Sequence, residues 1–563
     1  MSHGAEPDAA AVRDLADRYW DQLLELEPLL ATQVGDERFD DRLPDPSEEG
    51  IARRREVHEA ALRTAGRIAG RERLDVVLRT TLDVLEAIAR RELAEIAHRF
   101  DRLRAVSHLW GPAQLLAELG SLQRADAPER LERYLARLRG IPAYLEACGR
   151  VARDGLREGQ VAPRLVVERA AAQVERLLAL PPEASPAVQP VPEADAGGRA
   201  RVVEVLREAV LPAFEAYLAT LRDYLPRARD TIGLSALPEG EAMYASQVLA
   251  WTTLPLDPRE VHELGVRELG KIQEERRALA AALGFASAAE ALAAHQASGA
   301  NTARSREELL HLAEDQVRRG WEAAPAYFGR LPRANCQVRL VEEFREADMP
   351  FAFYQPPSED GSRPGIYYVN AYDLPARPLH HLATTTFHEA NPGHHFQLSL
   401  EQELRDRPAL RRFGSALAGS SFVEGWGLYA ERLADEMGLF ADDWERLGML
   451  DAQAHRAARL IVDTGIHALG WPRERSIAVL EEAGVPHVDA VIETDRYVAL
   501  PGQALSYMVG MLEIQRLRAE AAAREGAGFS LPAFHDRLLA LGSLPLPALR
   551  RELASRPPGP PAT

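Results

Sequence analysis

His388-Glu389-Ala390-Asn391-Pro392-Gly393-His394-His395, entered from Leu382-Ala383-Thr384-Thr385-Thr386-Phe387, is the stretch on which the reading of this chain turns. It gathers three imidazoles and one carboxylate within eight residues. In the H-E-x-x-H pattern two His stand one helical turn apart and can share a metal ion, with the Glu beside them as general base. Here Pro392 holds the fifth position and the next His comes two residues late. On an unbroken helix His388 and His394 would lie about 9 Å apart along the axis and about 120° apart around it, too far to grip one ion. His388 and His395 would nearly share a face, but about two turns apart. Pro392 breaks that helix, because its ring clashes with the His388 carbonyl and cannot donate the hydrogen bond that carbonyl expects. Gly393 opens backbone angles closed to other residues. The spacing therefore predicts a helix that ends or kinks at Asn391–Gly393 and swings His394 back towards His388, with His395 as the alternative ligand.

A catalytic metal needs a third protein ligand. About thirty residues on stands Ser421-Phe422-Val423-Glu424-Gly425-Trp426-Gly427-Leu428-Tyr429-Ala430-Glu431, inside a helix-like run from Phe413 to Met437. Glu424 and Glu431 are seven apart, so they lie on nearly one face, two turns apart. Glu424 can ligate while Glu431 supports a ligand from behind. Gly425 and Gly427 weaken a helix, and their position beside Glu424 points to close packing there. The dipeptide itself is common: His58-Glu59 and His262-Glu263 lack a second His within six residues and read as ordinary charged helices.

These blocks, with Asp463-Thr464-Gly465-Ile466-His467 and Pro501-Gly502-Gln503-Ala504-Leu505-Ser506-Tyr507, resemble the bacterial family called domain of unknown function 885. Weaker echoes stand at Gly155 to Arg164, at Leu237-Pro238-x-Gly240-x-x-x-Tyr244, and at Gly361-Ser362-Arg363-Pro364-Gly365 before Tyr367-Tyr368-Val369-Asn370. The family is similar to the gluzincin metallopeptidases. The resemblance implies a mainly α, multi-helix fold with a deep cleft, and one zinc ion held by two His and a Glu. It also implies a hydrolytic reaction class, and it favours His394 over His395, since the family pattern keeps Pro-Gly-His.

Composition sets wider bounds. At 563 residues, 46% hydrophobic and 27% charged, the chain reads as a soluble globular protein of several structural units. Its net charge of −18, with Lys271 as the only lysine, argues against nucleic acid, which needs basic patches. Cys148 and Cys336 have no CxxC partner and indicate neither a thiol metal site nor a disulfide framework. Met1 to Glu25 does not read as a signal peptide and no run of about eighteen apolar residues occurs, so the expectation is a cytoplasmic protein without a membrane span. The oligomeric state is left open.

Along the chain, residues 1–180 read as successive amphipathic helices, as in Leu131, Tyr134, Leu135 and Leu138. Residues 181–198 hold five prolines and a Gly pair and read as a loop or linker. Residues 199–335 return to helix, with Asp257-Pro258-Arg259-Glu260 as a helix start, and are expected to cover the cleft. Residues 336–563 form the expected catalytic region. Within it Gln337–Val341, Phe351–Tyr354 and Ile366–Val369 read as strands of one small sheet near the metal. In the gluzincins an edge strand lets a peptide substrate pair through its backbone, which would put Tyr367 and Tyr368 on the cleft wall.

The chemistry expected is zinc-dependent hydrolysis of a peptide or small amide. His388, His394 and Glu424 hold the metal, and Glu389 takes the water's proton and returns it to the leaving amine. His467 and Tyr507 are candidate donors to the oxyanion. Arg496 could take a substrate carboxylate, and Asp463, His395 and Glu431 could support the ligands. Two other readings stay open: a non-catalytic helical scaffold that binds a peptide or small ligand, and a specialised biosynthetic amide hydrolase. An intact Glu389 favours catalysis, since a binding module has no need of a general base.

Overall fold

Apolar residues recurring at three and four positions make the chain mainly helical. The structure, a computed structural model, describes residues 5–343, 346, 349–357 and 364–555. Gly361, Ser362 and Arg363 of the expected family block lie outside the described residues. Leu131, Tyr134, Leu135 and Leu138 fall on one helix, Pro128–Glu158, and all four are buried. The predicted helix start at Asp257 is realised. Its carboxylate accepts from the backbone N–H groups of Arg259 and Glu260, and α1 (Pro258–Ala282) follows. No described helix is long and apolar enough to cross a membrane.

The hydrophobic cores draw together segments that are far apart in sequence. One core joins helices from Val12 to Phe100 with residues between Leu234 and Ile272 and with others from Phe396 to Leu553. A second is built between Ala105 and Ala228. The Pro-rich stretch 181–198 buries Ala187, Val188 and Val191 in this second core, so it is a packed connection inside one unit. Its prolines give two short 3-10 turns, Pro182–Ala184 and Pro186–Val188, each with Pro at the start, where its missing N–H costs nothing.

The C-terminal half carries the sheet and the helices that frame the site. After α2 (Arg306–Ala323) come β1 (Cys336–Leu340), β2 (Ala352–Gln355) and β3 (Gly365–Val369). Each lies within a residue of its expected place. The order is β1-β3-β2, with β1 parallel and β2 antiparallel to β3. All five residues of β3 are buried, as a central strand requires. There follow α3 (His380–Glu389), α4 (His394–Gln402), α5 (Ser421–Glu436), α6 (Asp443–His467), α7 (His487–Ala499) and α8 (Ser506–Glu525). The expected helical run from Phe413 is interrupted: Gly419, at φ +126°, turns the chain, and α5 begins only at Ser421.

Candidate metal centre

α3 ends at Glu389 and α4 begins at His394, so the helix breaks over Ala390–Gly393. The break is fixed by packing. A Cβ on Gly393 would stand 1.9 Å from the His388 carbonyl oxygen, which excludes any side chain there. The Trp426 indole N–H donates to the Pro392 carbonyl at 3.0 Å and pins the turn to α5. The Asn391–Pro392 peptide is cis. The break between α3 and α4 lets the two imidazoles meet, with ring centroids 4.7 Å apart and planes at 85°.

Glu424 arrives from the first turn of α5, where a carboxylate is favoured by the helix N-terminus. Its Oε2 lies 3.8 Å from His388 Nε2 and 3.5 Å from His394 Nε2. Both separations exceed an N–H···O hydrogen bond, about 2.7–3.2 Å. They approach the edge of a tetrahedron with metal–ligand bonds near 2.0 Å, about 3.3 Å. His394 Nδ1 is buried without a hydrogen-bond partner among the described residues. His388 Nδ1 sits 2.8 Å from Glu431 Oε1, and Glu431 accepts from the Gln453 amide through its other oxygen at 3.1 Å. A carboxylate behind a ligating imidazole fixes the tautomer that presents Nε2. Two imidazole nitrogens, one carboxylate oxygen and this backing carboxylate suit a zinc-type divalent ion.

The two glycines of α5 explain how three ligands fit. A Cβ on Gly427 would stand 2.7 Å from His388 Nε2 and 3.0 Å from His394 Cε1. A Cβ on Gly425 would stand 2.4 Å from the Gly510 carbonyl carbon, so Gly425 lets α5 touch α8. From α8 comes Tyr507, whose ring lies 6.3 Å from that of His388. The guanidinium of Arg459 covers the Tyr507 ring at 4.6 Å and that of Arg456 lies at 5.9 Å.

Electrostatics follow from burial and charge. Burial works against the imidazolium of His388, but the Glu424 and Glu431 carboxylates outweigh it and push the group up to about 9. Burial also opposes the charge of Glu424, yet the two imidazoles hold it well below the usual carboxylate range. Glu389, the last residue of α3, is pushed up by burial, with His394, His388 and Arg456 pulling the other way. A carboxylate raised in this way is a better proton acceptor near neutrality.

Several expected roles are not supported by these positions. His467 is buried with both ring nitrogens engaged, 3.2 Å from the Leu234 N–H and 2.9 Å from the Tyr497 carbonyl. It has no donor left for an oxyanion. Asp463 accepts from the Tyr244 hydroxyl at 2.5 Å and the Gly502 N–H at 3.0 Å, so it ties three of the recognised blocks together and orients no ligand. His395 is fully buried, with Nδ1 2.9 Å from the Tyr354 hydroxyl and Nε2 3.0 Å from the Ala334 carbonyl; it fastens α4 to β2. Tyr367, on the central strand, is fully buried with its hydroxyl 3.1 Å from that of Thr386. Tyr368 stacks on Phe353 at 4.8 Å. Neither tyrosine lines an open wall. Arg496 pairs with Glu493 at 3.0 Å.

Gln453 and Arg456 were missed by sequence reasoning. They sit three apart on α6, one bonding Glu431 and the other acting on Glu389 and Glu431 by charge. A Gln and an Arg in a long polar helix carry no motif; only the crossing of α6 behind α3 and α5 gives them a role.

Comparison with known proteins agrees with this architecture. A protein described as "putative lipoprotein from Colwellia psychrerythraea" superposes with a TM-score of 0.89 at 26% identity, over 97% of this chain and 99% of its own. A "putative lipoprotein of unknown function from Shewanella oneidensis" gives 0.76 at 20% identity, over 96% and 99%, and shares the fold. No curated protein matches. The model of a bacterial protein family of unknown function, DUF885, matches residues 28–553, and the chain belongs to that family.

Proposed function

We propose that this protein is a zinc-dependent hydrolase of peptide or amide bonds, with its helices arranged around a cleft in the manner of the gluzincin metallopeptidases. The observation that carries the reading is the convergence of His388 Nε2 and His394 Nε2 on Glu424 Oε2, with Glu431 behind His388. His388, His394 and Glu424 would hold the ion. When bound, zinc supplies a water of lowered pKa and polarises a carbonyl. Glu389 accepts the proton of the attacking water and delivers it to the departing amine. Tyr507, beside His388 and under the Arg459 guanidinium, donates to the carbonyl oxygen as negative charge grows on it. Glu431 and Gln453 keep the His388 ring in place.

Access is from the side of Glu424, whose side chain is 20% exposed while that of His388 is 4% exposed. β3 is central and β1 and β2 are both edges; β2, whose Tyr354 bonds His395 on the helix that carries His394, is the edge strand along which a peptide backbone would pair. Action in the cytoplasm is part of the proposal. The lipoprotein names of the two similar structures favour membrane attachment instead, and fractionation of native cells separates the two.

Glu389→Gln tests the chemistry. It should retain metal while hydrolysis of peptide-library substrates falls by about 10²–10⁴-fold. Glu424→Ala should lose the ion held between His388 and His394. Equal turnover by wild type and Glu389→Gln removes Glu389 from its role. A metal-bound wild type that hydrolyses no peptide or amide favours the binding scaffold.

A further inference from the structure

A second group of ligands lies at the other end of α3. His380 and His381 open that helix, and their rings lie 4.1 Å apart at 52°. Asp451, from α6, places Oδ2 3.5 Å from His380 Nε2 and 3.7 Å from His381 Nε2. These separations again exceed a hydrogen bond and approach a tetrahedral edge, about 3.3 Å for bonds near 2.0 Å. The three donor atoms all lie within 4.8 Å of one another.

Three further observations indicate a built site. His380 Nδ1 and the His380 backbone N–H both lie 3.0 Å from Oδ1 of the buried Asn301. An amide oxygen accepts, so Nδ1 carries the proton and Nε2 presents its lone pair towards Asp451. His381 Nε2 is buried and has no hydrogen-bond partner among the described residues. Gly448, one turn before Asp451 on α6, would place a Cβ 1.8 Å from the His380 carbonyl oxygen, so only glycine lets α6 approach α3 this closely. The Arg276 guanidinium stands 2.6 Å from Asp451 Oδ1 and holds the carboxylate with Oδ2 facing the imidazoles.

We propose that His380, His381 and Asp451 form a second site for a divalent transition-metal ion. Two imidazoles and a carboxylate select an ion of the zinc type over calcium or magnesium, which prefer oxygen. The eight residues from His380 to His388 span about 12 Å of helix. A bridged pair needs its ions about 3.5–4 Å apart, so the two sites are separate. The second ion clamps the start of α3 to α6. Those two helices also carry His388 with Glu389 and the Gln453 amide, so the clamp steadies the frame of the first centre.

Chelator-treated full-length protein is titrated with Zn²⁺ alone, and bound metal is counted by equilibrium dialysis with elemental analysis. The Glu424→Ala protein should still bind one Zn²⁺ per chain, and adding His381→Ala should abolish it. Because both proteins lack Glu424, this result does not depend on the hydrolase reading. No bound Zn²⁺ in Glu424→Ala overturns the second site, as does binding unchanged by His381→Ala. The His381 side chain is 31% exposed, so its removal leaves the core intact. As an independent readout, Co²⁺ added to Glu424→Ala should show the visible absorption of tetrahedral N/O ligation, and its absence also overturns the assignment.

Discussion

A methyl group on Gly427 would press on both imidazoles of the first centre, 2.7 Å from His388 Cε1 and Nε2 and 3.0 Å from His394 Cε1. Neither ring can retreat, since His388 is held by Glu431 and the turn behind His394 by Trp426. Gly427→Ala should therefore weaken Zn²⁺ binding on the order of tenfold or more while the helical circular dichroism is retained. Unchanged affinity in a competitive chelator titration would show that the rings have room to move. His388, Glu389, His394, Glu424 and Glu431 were legible as single residues because an H-E motif, a Pro-Gly break and a seven-residue Glu spacing each have a local meaning. His467 and Asp463 were not, because a buried polar side chain in a recognised block can serve the fold as readily as the chemistry. Their hydrogen-bond partners, Leu234, Tyr497, Tyr244 and Gly502, lie far away in sequence.

At the scale of elements, the crossing of α5 over α8 is set by two glycines facing each other. A Cβ on Gly425 would meet Gly510 at 2.4 Å, and one on Gly510 would meet the Ser421 carbonyl oxygen at 1.8 Å. Both obstacles are backbone, which cannot rotate away. Gly425→Ala gains helix propensity, roughly 1 kcal/mol, but forces the helices apart, and overpacking of this kind costs about 1–3 kcal/mol. The expected outcome is net destabilisation, with Tyr507 moved from His388. Denaturant melts of metal-free protein check it, and a melt at or above the wild-type midpoint contradicts the packing argument. The strands near 337, 352 and 366 were read correctly from β-branched and aromatic runs. Their order was not readable, because parallel pairing of β1 with β3 depends on how the chain returns.

Across the whole molecule, burial leaves several histidines neutral. Desolvation pushes His58, His108 and His535 each down to about 4 from the usual 6.5. In the unfolded chain they take up protons below about pH 6.5, and in the folded chain only near pH 4. The unfolded state therefore binds more protons in between, and the stability each contributes, full above pH 6.5, is lost as pH falls through that window. His388, pushed up to about 9, is already protonated there in metal-free protein and adds no slope. The free-energy difference between wild type and His58→Gln, measured without metal, should shrink from pH 7 to pH 4. A difference constant with pH would mean that His58 is not held neutral.

Helical periodicity, the broken H-E motif, the later Glu424 and the strand-like runs are local properties, and the sequence alone determined them, along with a mainly α fold and a set of candidate ligands. Only the tertiary structure decided where distant segments meet. It joined the first hundred residues to the C-terminal core, made β3 central, set Gln453 and Arg456 behind the ligands and brought Asp451 to His380 and His381. The physical reason is the range of the forces involved. Backbone sterics and helix periodicity act over a few residues, whereas the packing of side chains and the pairing of buried charges depend on surfaces that meet only when the chain has folded.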